Sequence, residues 1–288
     1  MKTHVSPLLL AGLFFCCFAA TPNFSSKKSP LDKYMLPISE GVFMAPEEVS
    51  NIDFKEFLAS FPADSKDQQR LSPVESAWQN LPNAYVDPME KNYFSHPAFS
   101  MYPVVNISHE QAQAYCDWLT QVYNNQETRT YEQVRFRLPT LEEWELAARG
   151  GNADANFPWE SNPKAAKGFF KQYKDVKGKY LANFKTIRQD AFYETEEGEL
   201  TLVDPTKSPF NYSGDSFEFT SPAHVYPSNG FGMLNMAGNV AEMIETKGIS
   251  KGGSWYHTAY FLNINHQKSY KGPQPWLGFR YVMEVIKA

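Results

Sequence analysis

A chain of 288 residues with 42% hydrophobic and 15% aromatic side chains can bury a large core, and its 22 Phe and 16 Tyr exclude a disordered polymer. A formal net charge of -5, with no basic run of five or more residues, argues against a nucleic-acid partner. The 20 Pro and 16 Gly predict short regular elements joined by many loops, and nothing after the first 20 residues is apolar enough to span a bilayer.

The N-terminus has its own character. Lys2 precedes the apolar run Pro7-Leu-Leu-Leu-Ala-Gly-Leu-Phe-Phe-Cys-Cys-Phe-Ala-Ala20, and a Ser/Lys-rich stretch follows. A positive start, about a dozen apolar residues and a small-residue end predict a secretory signal over residues 1–20, cleaved near Ala19 or Ala20. A lipoprotein signal with Cys16 or Cys17 lipidated is the other export route, although Phe15 is bulky for it. A buried N-terminal helix is the purely structural alternative. Export places the protein in the periplasm or at the outer membrane, with membrane contact only through a lipid anchor. Cleavage at Ala20 leaves Cys116 as the one thiol, so no intramolecular disulfide is expected.

Residues 21–38, with Lys27 and Lys28, read as a linker, and residues 39–288 as one domain without internal repeats. Asn51 is expected to cap a helix whose buried face holds Ile52, Phe57, Leu58 and Phe61. Ser108-His-Glu-Gln111 is a capping box, and Ala112, Tyr115, Cys116, Leu119, Val122 and Tyr123 follow at helical spacing. Cys116 on that stripe reads as a small core residue. Thr140-Leu-Glu-Glu143 is a second capping box, with Gly150-Gly151 ending its helix at positive φ. Val104-Val105, Val134–Phe136 and Tyr281-Val-Met283 are expected in strands. Lys185–Ser213, polar and without periodicity, reads as an inserted loop, and loops this long are functional or disordered.

The most specific feature is a set of short blocks in fixed order. They run Glu48-Val-Ser-Asn51 with Phe54 and Phe57, Tyr102–Ser108 leading to Ala114-Tyr-Cys-Asp-Trp118, and Arg137-Leu-Pro-Thr140. Phe157-Pro-Trp159, Phe231-Gly-Met-Leu-Asn-Met-Ala-Gly-Asn-Val-Ala-Glu242, Lys251-Gly-Gly-Ser-Trp255 and Leu277-Gly-Phe-Arg280 complete the series. Together they resemble the formylglycine-generating-enzyme, or sulfatase-modifying factor, domain. The resemblance implies an α+β, C-type-lectin-like fold with a small twisted sheet, two main helices and much irregular structure.

It also implies two structural calcium sites. Asn183, Phe184, Asp215 and Phe217 match one ligand set, and Asn235, Gly238, Val240 and Glu242 match the other. Side-chain oxygens mixed with backbone carbonyls suit a hard cation; turn capping is the plain alternative for these polar residues. The family's copper centre does not carry over. Its two thiolates lie three and eight residues beyond the Ser of Gly-Gly-Ser, where this chain has His257 and Leu262. One imidazole and one aliphatic group cannot make the dithiolate site that Cu(I) prefers. Of the other histidines, His109 is expected on an exposed helical turn, His224 beside a calcium site, and His266 in the groove with His257. No catalytic residue is assigned and no copper is expected.

Two readings follow. One is an exported, non-catalytic scaffold or binding protein resembling the cysteine-less gliding-motility and type IX secretion lipoproteins, with cell-envelope proteins as partners. Its contact surfaces would be Lys185–Ser213 and the aromatics Trp255, Tyr256, Tyr260 and Phe261. The other is a periplasmic oxidoreductase of the same family with altered metal chemistry.

Overall fold

The computed structural model describes residues 30–81, 86–161, 173–175, 177–187, 192–196, 200–204, 210–211 and 217–288. The expected signal and the first part of the expected linker lie outside these residues. The linker's end does not: residues 30–38 belong to the fold. Pro30–Tyr34 forms a short helix, α1, and Leu36–Ser39 a strand, β1. Asp32 accepts from Tyr123 Oη at 2.7 Å, and Met35 is buried, so an apolar residue and a carboxylate dock this segment.

Two four-stranded sheets carry the domain. The first runs β1, β2 (Val42–Met44), β12 (Val282–Lys287) and β3 (Gln133–Arg137), antiparallel throughout. The second runs β10 (Lys268–Ser269), β9 (Ile249–Lys251), β8 (Ala241–Met243) and β11 (Leu277–Phe279), with β11 parallel to β8. Only Arg280 and Tyr281 separate β11 from β12. The chain therefore crosses from one sheet to the other at Arg280, and this placement governs the site described below.

Helix α2 (Asn51–Ala59) is capped by Ser50, in a capping box with Asp53, rather than by Asn51. Phe54, Phe57 and Leu58 are buried with Phe61 packed against them, whereas Ile52 is 49% exposed. Ile52 falls out of phase with the 54, 57, 58, 61 stripe, which corrects the expected face. Short helices α3 (Lys66–Leu71) and α4 (Val86–Asn92) follow. Helix α5 (His109–Asn124) has the expected Ser108–Gln111 box and buries Ala112, Tyr115, Cys116, Leu119 and Tyr123, with Val122 half-buried. His109, expected in solvent, is 3% exposed, and its Nε2 lies 3.0 Å from Ile244 O. Helix α6 (Leu141–Arg149) keeps its Thr140–Glu143 box and ends at Gly150, φ 56°. Arg137 clamps the same Glu143 through two 2.7 Å bonds.

Val104-Val105 is no strand. The pair is buried in an extended segment held by an isolated bridge between Ser50 and Pro103 and by Val104 N donating to Val49 O. The presumed inserted loop contains two antiparallel pairs among its described residues. Thr186–Ile187 (β4) pairs with Phe210–Asn211 (β7), and Phe192–Glu194 (β5) with Leu200–Leu202 (β6). No helix among the described residues is long and apolar enough to cross a membrane.

Candidate functional site

The turn from Leu234 to Val240 enters β8 beneath a buried polar network. Asn235 and Asn239 both sit in the left-handed region, at φ 52° and 60°, a conformation asparagine tolerates better than most residues. Gly238, φ 78°, lies so close to the Asn183 segment that a Cβ would meet Asn183 O at 2.4 Å. Asn239 N donates to Asn183 O at 2.8 Å across the same contact. The fold thus brings Asn183 of one expected calcium set against Gly238 of the other.

Glu48 is the hub on the other side. It is 2% exposed; its Oε2 accepts from Asn235 Nδ2 and its Oε1 from Asn239 Nδ2, both at 3.0 Å. Burial pushes its carboxyl up to about 8, against the pull of Arg280. Asn239 Oδ1 accepts from Ser221 N at 2.8 Å, which fixes its orientation.

Arg280 and Glu242 are 0% and 1% exposed. Arg280 Nε donates to Glu242 Oε2 at 2.7 Å and Nη2 to Oε1 at 2.6 Å, the fork geometry that makes such pairs strong. Trp144 Nε1 also donates to Oε2, at 2.7 Å. The remaining guanidinium donors reach Ala45 O, Pro46 O and Leu234 O. One side chain at the sheet junction therefore ties β8, the end of β2 and the Leu234 turn together. Three donors on Glu242 leave its carboxylate one lone-pair direction, on Oε1.

The asparagine oxygens are the test of the calcium sets. Asn235 Nδ2 donates to Glu48 Oε2 and, at 2.8 Å, to Ala223 O, so the amide cannot be flipped without losing both bonds. Its Oδ1 is then buried without a partner. Asn183 Nδ2 donates to Phe219 O at 2.5 Å, and its Oδ1 is likewise orphaned. Buried acceptors are ordinarily paired. These two oxygens suit a hard cation in the places the ligand sets name, although Asn51 and Asn106 carry orphaned oxygens as well. Val240 and Phe184 are buried and Phe217 is half-buried, while Asp215 lies outside the described residues.

Around His257 and Leu262, where the resemblance puts the two thiolates, the surroundings are apolar. Leu262 is fully buried in a cluster with Phe157, Trp159, Phe184 and Ala237. His257 is 6% exposed; its Nδ1 lies 2.9 Å from Ser254 Oγ and its ring 4.6 Å from that of Trp276. Burial, reinforced by Lys268 and Lys185, pushes the imidazole down to about 3, so it is neutral at ordinary pH. His266 stacks on Tyr260 at 4.0 Å and holds Tyr260 O through Nδ1. His224 is exposed. The expected aromatic contact surface divides: Trp255 is core at 2% exposure, Tyr256 and Phe261 are half-buried, and Tyr260 is 62% exposed.

Sequence reasoning did not assign Glu48, Trp144, Asn239 or Arg280 to this network. Glu48, Asn239 and Arg280 lie inside the ordered blocks, where a carboxylate, an amide and a guanidinium are the available signal, and Trp144 follows Arg137-Leu-Pro-Thr140 by four residues.

An α+β domain with two four-stranded sheets, three helices that begin in capping boxes and long connections defines the fold class. The chain belongs to the sulfatase-modifying factor enzyme 1-like domain family, whose model matches residues 11–285. It is 27% identical over 225 residues to the formylglycine-generating enzyme of Mus musculus, covering 70% of this chain and 48% of that protein. It is 30% identical over 172 residues to the formylglycine-generating enzyme of Thermomonospora curvata, covering 59% and 42%. It is 25% identical over 216 residues to the inactive C-alpha-formylglycine-generating enzyme 2 of Mus musculus, covering 72% and 54%. The chain thus spans about half the length of these relatives. Among solved structures, PvdO from Pseudomonas aeruginosa aligns with a TM-score of 0.48 at 17% identity, covering 84% of this chain and 80% of that one.

Proposed function

We propose that this chain is an exported, non-catalytic scaffold or binding protein on a degenerate formylglycine-generating-enzyme fold, serving a bacterial cell-envelope secretion or gliding-motility assembly. The observation that carries the reading is the pair His257 and Leu262 where the family's thiolates belong. A neutral, packed imidazole and a core leucine offer Cu(I) neither charge nor sulfur. Cys116, the thiol among the described residues, is buried on α5, and burial holds its thiol well above the usual range. That the family also includes relatives named as inactive supports a non-catalytic member. Affinity capture from solubilised envelope, followed by mass spectrometry, tests the role. Stoichiometric envelope proteins with no bound iron or copper are expected; stoichiometric redox metal would favour the oxidoreductase reading.

Calcium is proposed to be structural. Asn183, Phe184, Asp215 and Phe217 would hold one ion, and the Asn235 amide oxygen, the Gly238 and Val240 carbonyls and the remaining Glu242 lone pair the other, each pinning loop backbone. At calcium a hundredfold above Kd the stabilisation is about 2.7 kcal/mol, roughly 5–10 °C in Tm for a domain of this size. EGTA should lower the wild-type Tm by that order and move Asn235→Ala and Glu242→Ala much less. An unchanged wild type contradicts the assignment.

A further inference from the structure

A cavity of about 550 Å³ opens where α1, α2 and α5 meet Tyr281, and it shares no lining residue with the His257–Leu262 region. Its floor is aromatic, made by Tyr34, Tyr115, Trp118 and Tyr281. The Tyr115 ring lies 5.5 Å from Trp118 and 6.0 Å from Tyr281, centre to centre. Glu47, Asp53 and Glu56 add carboxylates, and among the described residues no Lys, Arg or His lines the cavity. Glu48 reaches it too, but both its oxygens are already held by the Asn235 and Asn239 amides.

The phenols supply a second, independent observation. Tyr115 and Tyr281 are 4% and 5% exposed, and both line the cavity. Neither phenolic oxygen has a hydrogen-bond partner among the described residues, and neither is sealed from solvent, so both are open to a ligand in the cavity. Burial pushes both phenols up, with Asp53 and neighbouring phenols adding to it, and at Tyr34 burial is reinforced by Glu47 and Asp53. The hydroxyls and carboxylates therefore share one negative environment.

We propose that this cavity is a binding site for a cationic side chain, lysine or arginine, carried by an extended segment of a partner polypeptide. Carboxylates supply the opposite charge, and the faces of Trp118 and the tyrosines attract an organic cation. The unpartnered phenolic oxygens accept from ammonium or guanidinium N–H groups. A bare metal ion would leave the aromatic and aliphatic walls unused. Leu31, Leu119 and Val122 suit the alkyl stem of the cation and an apolar flanking residue, and the volume lies in the range of sites that enclose such groups. The inference stands on the cavity alone and holds whether or not the protein is catalytic.

The test uses fluorescence anisotropy at low salt with a labelled Leu-Arg-Leu-Arg-Leu peptide and a Leu-Glu-Leu-Glu-Leu control. The cationic peptide should bind and the acidic one should not. The double variants Tyr115→Phe with Tyr281→Phe, and Glu47→Gln with Glu56→Gln, should each weaken binding about tenfold or more. The phenylalanine variant should keep the wild-type Tm, because the hydroxyls bond no described protein group. No binding, equal binding of the acidic peptide, or variants that bind as wild type would overturn the proposal. Arginine amide competing as well as the peptide would assign the site to a free organic cation instead. A large gain in affinity on replacing Lys27 and Lys28 by Ala would assign it to the chain's own N-terminal segment, and either result overturns the partner assignment.

Discussion

Replacing Arg280 by Met should be among the most destabilising single changes in this protein, costing about 3–5 kcal/mol. The substitution leaves the 1%-exposed Glu242 carboxylate without its counter-charge, with Trp144 Nε1 as its one remaining donor. It also strips donors from Ala45 O, Pro46 O and Leu234 O. Folded domains are stable by about 5–15 kcal/mol, so about a fifth or more of the total would be lost. Urea unfolding should show a midpoint lower by about 1 M or more. The exposed pair Lys247–Glu110 is the control, since Lys247→Ala should cost less than about 1 kcal/mol. Converting Arg280 and Glu242 together to apolar residues should recover part of the loss, because no uncompensated charge is then left buried. A midpoint for Arg280→Met within error of wild type would mean that the junction is not held by this pair.

The second large effect is acid sensitivity from His257. Its folded-state value of about 3 lies below the ordinary 6.5. Between those values the unfolded chain takes up a proton that the folded chain refuses, so stability is complete above pH 6.5 and falls as pH drops toward 3. The slope is about 1.4 kcal/mol per pH unit, on the order of 4 kcal/mol across the window. Urea titrations of wild type and His257→Gln at a series of pH values isolate the contribution. The variant's slope should be shallower by about that amount between pH 6.5 and 4, whatever its stability at neutral pH. Equal slopes would show that the imidazole is protonated in the fold, in conflict with its packing against Trp276 and its proximity to Lys185 and Lys268.

What was legible in the sequence is what is local. The Ser108–Gln111 and Thr140–Glu143 boxes join side chains to backbone three residues away, so helix starts could be read directly. The left-handed Gly150 followed for the same reason. Reading failed where phase or distance decided. Ile52 is as apolar as its neighbours, but Ser50 takes the cap and the 54–61 stripe turns Ile52 outward. The strands inside 186–211 are two or three residues long, too short for a period to show, so nothing local announced them. His109 is a helix-start residue by sequence and a buried one by tertiary packing against Ile244. At the candidate site, Asn183, Asn235 and Glu242 came from block resemblance. Their real partners stand far along the chain, with Glu48 187 residues from Asn235 and Arg280 235 from Ala45. Local spacing holds no record of such contacts.

Turnover decides between a scaffold and an enzyme. Purified protein is loaded with copper and incubated under oxygen with a sulfatase-type cysteine peptide, and the peptide mass is followed. No aldehyde formation above a protein-free control is predicted on the proposed function, because it puts His257 and Leu262 at the two thiolate positions and Leu262 is sealed in the core. Copper bound at one equivalent with sustained conversion of the cysteine would contradict the account, since the redox centre would then be built from residues assigned here to structure.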